Sequence, residues 1–99
     1  MSSPLRLVVL IRTQPGMRER QLRAFVQLAP VVRAEEGCLQ YDLHETSEPD
    51  RFVLLERWES PEALAMHNAA AHMAAADAAN GAFRAGPAEV LMLSDDSSA

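Results

Sequence analysis

The chain has 99 residues, a formal net charge of −5 at pH 7 and nine basic residues, all of them arginine. A chain of this length is expected to form one domain over residues 1–99. The acidic balance argues against nucleic-acid binding, which needs a basic face. No apolar run approaches the roughly 20 residues of a membrane span, and we expect no signal peptide. With a single cysteine, Cys38, these features predict a cytoplasmic protein.

The first half of the chain predicts a strand, a helix and a second strand. Residues 5–12 are apolar on both faces, which is typical of a buried strand. Pro15 and Gly16 break this strand, and from Met17 the apolar residues recur at helical spacing. Gly37 is predicted to end the helix in the left-handed conformation. Apolar and polar residues alternate from 38 to 44, which predicts a half-buried strand.

The second half predicts strand, helix and strand. Residues 48–50 form a turn signal, and 51–58 can pair back as the second arm of a hairpin. Ser60 followed by Pro61 is a helix start, with serine as the N-cap and proline at the first helical position. An Ala-rich helix or helix pair follows to about residue 79, and 90–93 is a last strand. The acidic tail 94–99 is expected to fray.

The order of these elements predicts the fold. Strand-helix-strand-strand-helix-strand is the ferredoxin-like α+β pattern, a four-stranded antiparallel sheet with its helices on one face. The strands, however, are apolar on both faces, and a bare second face would be a large exposed apolar patch. A second copy of the chain is the simplest cover, which predicts a two-fold homodimer, a dimeric α+β barrel. The residues expected on the open face are Val8, Leu10, Val53, Leu55, Leu91 and Leu93.

A set of motifs carries a resemblance to a known family. These are Gly37-Cys-Leu-x-Tyr-Asp-Leu, Arg51-Phe-Val, Glu56-Arg-Trp-Glu-Ser, Ala63-Leu-x-x-His and Ala71-His-Met. Together they resemble the antibiotic biosynthesis monooxygenase (ABM) family over essentially the whole chain. The resemblance implies a dimeric α+β barrel with an apolar cavity between sheet and helices in each subunit. It also implies reactions that range from cofactor-independent oxygenation of quinols and polycyclic phenols to haem degradation and sugar isomerisation.

The third strand supplies four candidate site residues of one parity: Phe52, Leu54, Glu56 and Trp58. Phe52 and Leu54 are predicted to contact a ligand. A carboxylate on an otherwise apolar face is costly unless paired or functional, so Glu56 is either an acid–base group or a partner of an arginine or His67. Trp58 is either a core anchor or catalytic. The resemblance implies an asparagine four residues before the tryptophan, and this chain has Leu54 there.

Two histidines and a tyrosine complete the candidate site. His67 lies on the apolar stripe of the second helix and is either a buried core residue or a catalytic base. His72 is five residues further, about 140° around an ideal helix, so it reaches the same space only if the helix breaks. Tyr41 shares a face with apolar neighbours and is predicted to pack or to contact ligand. No metal-ligand spacing is present, and we expect no metal and no cofactor.

Three functions remain open at the level of sequence. The first is a cofactor-independent monooxygenase of a small hydrophobic aromatic, such as a quinol or polycyclic phenol, which needs only an apolar cavity and a base. The second is an isomerase or other acid–base enzyme that uses Glu56 with a histidine on a small metabolite. The third is a non-catalytic dimeric module that binds a hydrophobic ligand. Haem degradation is the least supported, since His67 occupies the place of the aromatic residue that the resemblance implies for haem degraders.

Overall fold

A computed structural model describes residues 4–94 of the chain. Its elements follow the predicted order and form a ferredoxin-like α+β fold with three helices. They are β1 (Leu5–Arg12), α1 (Arg18–Arg33), β2 (Cys38–Glu45), β3 (Arg51–Trp58), α2 (Pro61–Ala69), α3 (Ala71–Asn80) and β4 (Glu89–Leu93). The tail, apart from Ser94, lies outside the described residues, and so does its predicted fraying. No helix in the described range is long and apolar enough to cross a membrane.

The four strands form one antiparallel sheet in the order β2-β3-β1-β4. This order places β1 and β3 in the centre. Their helix-facing side chains make most of the core: Leu7, Val9, Ile11, Phe52, Leu54 and Trp58 are all buried. The helices pack on this face. The side chains at the alternate strand positions point to the opposite face of the sheet. The predicted core face of the sheet is therefore confirmed.

The opposite face of the sheet is open and largely apolar. Strand register puts Val8 beside both Leu55 and Leu91, and Leu10 beside Val53. In this single chain Leu91 remains 43% exposed. As predicted, the open face therefore carries an apolar patch that no helix within residues 4–94 covers, with arginines at both ends of β1 and β3.

One local feature differs from the sequence prediction, and a second decides between the predicted single helix and the predicted helix pair. Helix α1 ends at Arg33 rather than at Gly37, and a turn over 34–37 leads into β2. Gly37 is left-handed, with φ +83°, and a Cβ there would lie 2.5 Å from the Cβ of Ala63. Its glycine is needed because the turn passes directly against the start of α2. The predicted second helix is a pair of helices, α2 and α3, because the helical conformation is interrupted at Ala70.

The start of α2 follows the predicted capping pattern. The Ser60 side chain accepts a hydrogen bond from the backbone N–H of Ala63, at 3.1 Å, and Pro61 is the first helical residue. This cap fixes where α2 begins, so that the helix folds back over β3 and buries Leu64 and His67 against the sheet.

Candidate active site

A cavity of about 480 Å³ lies between the helices and the helix-facing side of the sheet. Most of its wall is aliphatic or aromatic, from α1, α3 and the central strands. Ten of the lining residues are polar: Gln21, Gln27, Tyr41, Glu56, His67, Asn68, His72, Asp77, Asn80 and Arg84. A cavity of this size, with a mainly apolar wall and polar groups at defined positions, is typical of a small-molecule site.

His67 and His72, which line the cavity, form a His–Glu–His cluster with Glu35, which is not one of the lining residues. Nδ1 of His67 lies 2.9 Å from Oε2 of Glu35, and Nε2 of His72 lies 2.8 Å from the same oxygen. His67 is only 3% exposed, and the Glu35 side chain is 15% exposed. The two histidines that the sequence nominated are therefore brought together by a third residue, Glu35, which sequence reasoning did not single out.

The helix break at Ala70 is what makes the histidines converge. Residues five apart on a continuous helix point about 140° apart. Ala70 has an extended backbone, with ψ 142°, so the axis of α3 differs in direction from that of α2, and His72 is the second residue of α3. The condition set for His72, a break in the helix, is therefore met. The sequence spacing did not reveal the histidine–carboxylate cluster, because its carboxylate, Glu35, lies 32 residues before His67.

Glu35 is held at the cluster by the turn between α1 and β2. Its backbone N–H donates to the carbonyl of Val32, at 2.9 Å, and its carbonyl accepts from the N–H of Cys38, at 3.2 Å. The only sequence signal for this residue was its place between the end of α1 and Gly37, in a turn rather than on a periodic face. A residue with no helical or strand period gives no indication of where its side chain points.

The shared oxygen fixes which ring nitrogens carry protons. An ionised carboxylate can only accept hydrogen bonds, so His67 donates through Nδ1–H and His72 through Nε2–H. In the neutral rings the remaining nitrogens, Nε2 of His67 and Nδ1 of His72, are left as proton acceptors. The cluster thus presents two imidazoles, each hydrogen-bonded through one ring nitrogen to the same carboxylate oxygen.

The same three ligand atoms lie within 4.8 Å of one another, a spacing that could also hold a metal ion. Two imidazoles and a carboxylate are ordinary ligands for zinc and similar ions. The distances of 2.8 and 2.9 Å are those of direct hydrogen bonds, which already account for the arrangement. We therefore interpret the cluster as an acid–base group.

Glu56 is buried beside the cluster and is paired with Trp58. The indole Nε1–H donates to Oε1 of Glu56 at 2.9 Å, and Glu56 is 7% exposed. The predicted alternatives, an arginine or His67 as its hydrogen-bond partner, are therefore wrong. Burial raises the pKa of the Glu56 carboxyl, and the Trp58 hydrogen bond and the nearby His67 oppose this rise only in part.

Trp58 and Phe52 lie behind the cavity rather than in its wall. Both are almost completely buried, and neither is among the residues that line the cavity. The Trp58 ring packs against the His67 ring, with centroids 4.4 Å apart. This geometry gives Trp58 a positioning role, in which it holds Glu56 through a hydrogen bond and His67 through ring packing.

Tyr41 and Leu54 do line the cavity. The Tyr41 ring stacks on Phe25 with centroids 5.6 Å apart and meets the His67 ring edge-on at 5.9 Å. Burial, reinforced by the negative charge of Glu56, raises the pKa of the Tyr41 phenol well above its usual range. Tyr41 is therefore a neutral hydroxyl in the cavity at physiological pH.

The fold and the cavity define a small ferredoxin-like protein with a base cluster at an apolar pocket, and comparison with known proteins identifies its family. The sequence profile described as "Antibiotic biosynthesis monooxygenase" (ABM) matches residues 4–79. The chain belongs to this ABM family. The match covers every described element except β4.

Curated relatives are similar over most of their length. The Bacillus subtilis protein named "Putative monooxygenase YcnE" is 42% identical over 67 residues, 67% of this chain and 70% of the relative. The Escherichia coli protein named "Probable quinol monooxygenase YgiN" is 35% identical over 82 residues, 72% of this chain and 79% of the relative.

Solved structures agree with the fold over nearly the whole chain. PA3566 from Pseudomonas aeruginosa superposes with a TM-score of 0.84 at 34% identity, covering 94% of each chain. Rv0793 from Mycobacterium tuberculosis superposes with a TM-score of 0.85 at 30% identity, covering 97% of this chain and 100% of that one.

Proposed function

We propose that the protein is a cofactor-independent monooxygenase of a small hydrophobic aromatic, such as a quinol or polycyclic phenol. The observation that carries this proposal is the Glu35–His67–His72 cluster, whose two histidines line a mainly apolar cavity of about 480 Å³. Membership of the ABM family and similarity to a relative named as a quinol monooxygenase support it. The apolar wall favours an aromatic ring over a small charged metabolite.

The cluster supplies the base that such chemistry needs. Nε2 of His67 accepts the phenolic proton, while the Nδ1–H bond to Glu35 stabilises the imidazolium that forms. His72, bonded to the same oxygen, keeps Glu35 in place. Glu56, held by Trp58, adds a second carboxyl beside His67 that can exchange protons with the site. Tyr41 and Leu54 contact the bound ring from the sheet side.

The substrate itself provides the electrons. A hydroquinone anion passes one electron to dioxygen, and the two radicals combine at a ring carbon to give a hydroperoxide. Loss of water from this adduct leaves a hydroxyquinone. Overall, hydroquinone plus O₂ gives hydroxyquinone plus H₂O, so that one oxygen atom enters the ring and the other leaves as water. The protein's part is to remove protons and to keep bulk water out of the cavity.

Dioxygen consumption with a panel of hydroquinones tests the proposal. We expect enzyme-dependent uptake and a product that gains a single ¹⁸O atom from ¹⁸O₂. Formation of quinone and hydrogen peroxide alone would indicate simple oxidation. If no uptake is seen but deuterium is exchanged into a bound ligand, the protein is an acid–base enzyme of another kind. Tight binding without either reaction would make it a binding module.

We also propose that the protein works as a homodimer joined through the open sheet face. The patch that supports this consists of half-buried and exposed apolar side chains on β1, β3 and β4. An exposed apolar patch of this extent on a single small chain favours association with a like surface. A cytoplasmic location remains a prediction that rests on the single free cysteine, Cys38.

A further inference from the structure

A second polar group, Arg84, enters the cavity from the segment that follows α3, and the acid–base chemistry does not use it. It is half-buried and lines the same cavity as the His–Glu–His cluster. Its Nε–H donates to Oε1 of Gln21 at 3.0 Å. Within residues 4–94 the Arg84 guanidinium makes no ion pair and no other side-chain hydrogen bond. Its terminal amino groups therefore have donors to spare.

Gln21 adds a second set of donors at the same end. Its side chain is 3% exposed and lines the cavity from α1. The hydrogen bond from Arg84 turns the amide oxygen towards the guanidinium, which leaves the amide NH₂ without a hydrogen-bond partner in the described part of the chain. Because Gln21 lines the cavity, its amide NH₂ is available to donate a hydrogen bond to a ligand there.

At this end of the cavity the Arg84 guanidinium and the Gln21 amide NH₂ are hydrogen-bond donors, and the guanidinium adds a positive charge. Burial lowers the pKa of Arg84, which reflects the cost of holding an uncompensated cation there. The nearest acidic side chain acting on Arg84 is Asp77, which is exposed and lies beyond ion-pair distance. A neutral acceptor would leave the charge uncompensated, whereas a carboxylate would satisfy both the charge and the forked donors.

We propose that Arg84 and Gln21 form a carboxylate subsite, so that the preferred ligand is a hydroxyaryl carboxylate. Its phenol lies at the His67 end, its ring lies against Tyr41 and the apolar wall, and its carboxylate lies on Arg84. Tyr41 lines the cavity, and its ring meets the His67 ring edge-on with centroids 5.9 Å apart. This inference rests on the proposed function for the role of the phenol end, but the binding it predicts requires no turnover.

Calorimetric titration under anaerobic conditions tests the subsite. The probes are 6-hydroxy-2-naphthoate, its methyl ester and 2-naphthol, which share one ring system and differ only at the position meant for Arg84. Wild-type protein should bind the carboxylate at least tenfold more tightly than either neutral probe. Arg84→Met should lose this preference while binding 2-naphthol within about twofold of wild type. Arg23→Met, at an exposed position of α1 outside the cavity, should behave as wild type.

Equal affinity of wild type for the three probes would overturn the subsite, and so would a carboxylate preference that survives in Arg84→Met. The wild-type comparison is decisive even if Arg84→Met fails to fold, as judged by circular dichroism. The result is also separable from the proposed function. A carboxylate preference without oxygen uptake would leave the subsite standing and refute the oxygenase. Oxygen uptake with neutral hydroquinones, without tighter binding of the carboxylate probe, would support the oxygenase and refute the carboxylate subsite.

Discussion

Glu35 joins the two histidines of the candidate site, although it lies on no regular element and belongs to no obvious motif. One of its carboxylate oxygens accepts from two imidazoles. Charge-assisted hydrogen bonds of this kind are among the stronger ones in proteins, and they fix both rings and both tautomers at once. Because Nδ1–H of His67 is bonded to Glu35, the nitrogen of His67 left to accept a proton is Nε2.

Removing the His67 imidazole separates a catalytic from a structural role. If His67 is the base, His67→Ala should lower turnover by about 10²–10⁴-fold. The free energy of unfolding should fall by a few kcal/mol at most, about the usual range for a buried substitution. Oxygen uptake and urea unfolding measure the two effects. His44→Ala, at an exposed position on β2, is the matched control and should keep full turnover. Unchanged turnover in His67→Ala would exclude His67 as the base.

Glu56 should give stability a distinct pH dependence. Burial raises the pKa of its carboxyl, so the folded chain keeps this proton to higher pH than the unfolded chain does. Its contribution to the free energy of unfolding therefore falls as pH rises from the ordinary glutamate value, about 4.3, through the raised one. Glutamine does not titrate, and its amide oxygen can still accept from Trp58.

We expect Glu56→Gln to gain stability relative to wild type over that pH range and then to hold a constant difference. Urea unfolding from pH 4 to pH 8 measures the difference between the two proteins. Glu36→Gln, in the exposed part of the turn before β2, serves as the control and should follow wild type. A difference that shrinks as pH rises would contradict a raised pKa.

At the scale of elements, the break between α2 and α3 determines whether a site exists at all. The sequence predicted the strands, the capped start at Ser60 and the pairing order, because these depend on local period and turn chemistry. It left open whether the second helix breaks, since neither glycine nor proline marks Ala70 and the surrounding alanines favour a continuous helix. The convergence of His72 with His67 therefore depends on how the helices pack in the folded chain, which local sequence does not specify. The pairing of Gln21 with Arg84, 63 residues apart, left no local pattern either.

The backbone at the break should accept proline. Ala70 has φ −69° and ψ 142°, the region preferred by a residue that precedes proline, and Ala71 is the first residue of α3. The N–H of Ala71 makes no backbone hydrogen bond outside its helix in the described range. Ala71→Pro should therefore raise the free energy of unfolding by about 0.4–1 kcal/mol, by restricting the unfolded chain.

Thermal and urea unfolding measure this gain. Ala75→Pro, in the interior of α3, is the control, and it should cost about 3 kcal/mol because it removes a helical hydrogen bond. If Ala71→Pro destabilised the protein as strongly as the control does, the helix would be continuous through Ala70 in solution.

At the scale of the whole molecule, the sheet has two very different faces. The helix-facing side holds the core and the cavity, while the open side exposes apolar residues of three strands. Strand β4 is exposed along its whole length. A single copy is therefore incompletely covered, and burying this face accounts for why apolar residues occur at both parities of the strands.

A charge placed on the open face should prevent assembly. Wild-type protein is expected to scatter as a particle of about twice the chain mass of 10.9 kDa. Leu55→Asp should give monomeric or insoluble protein, because the new carboxylate would be buried without a partner in the dimer. Met66→Asp, on α2 at 70% exposure, is the matched control and should leave the mass unchanged. A compact wild-type monomer in small-angle X-ray scattering at micromolar concentration would refute the dimer.

The position of Trp58 gives the molecule a built-in optical probe. It is the only tryptophan in the chain, its indole N–H is bonded to Glu56, and its ring packs on His67. The emission of the protein therefore comes from one fluorophore set directly behind the candidate site, shielded from bulk water. Its intensity and wavelength should respond to protonation of either neighbour and to ligand entering the cavity. Ligand screening and pH titration can thus be followed on unlabelled wild-type protein, with no substitution in the site.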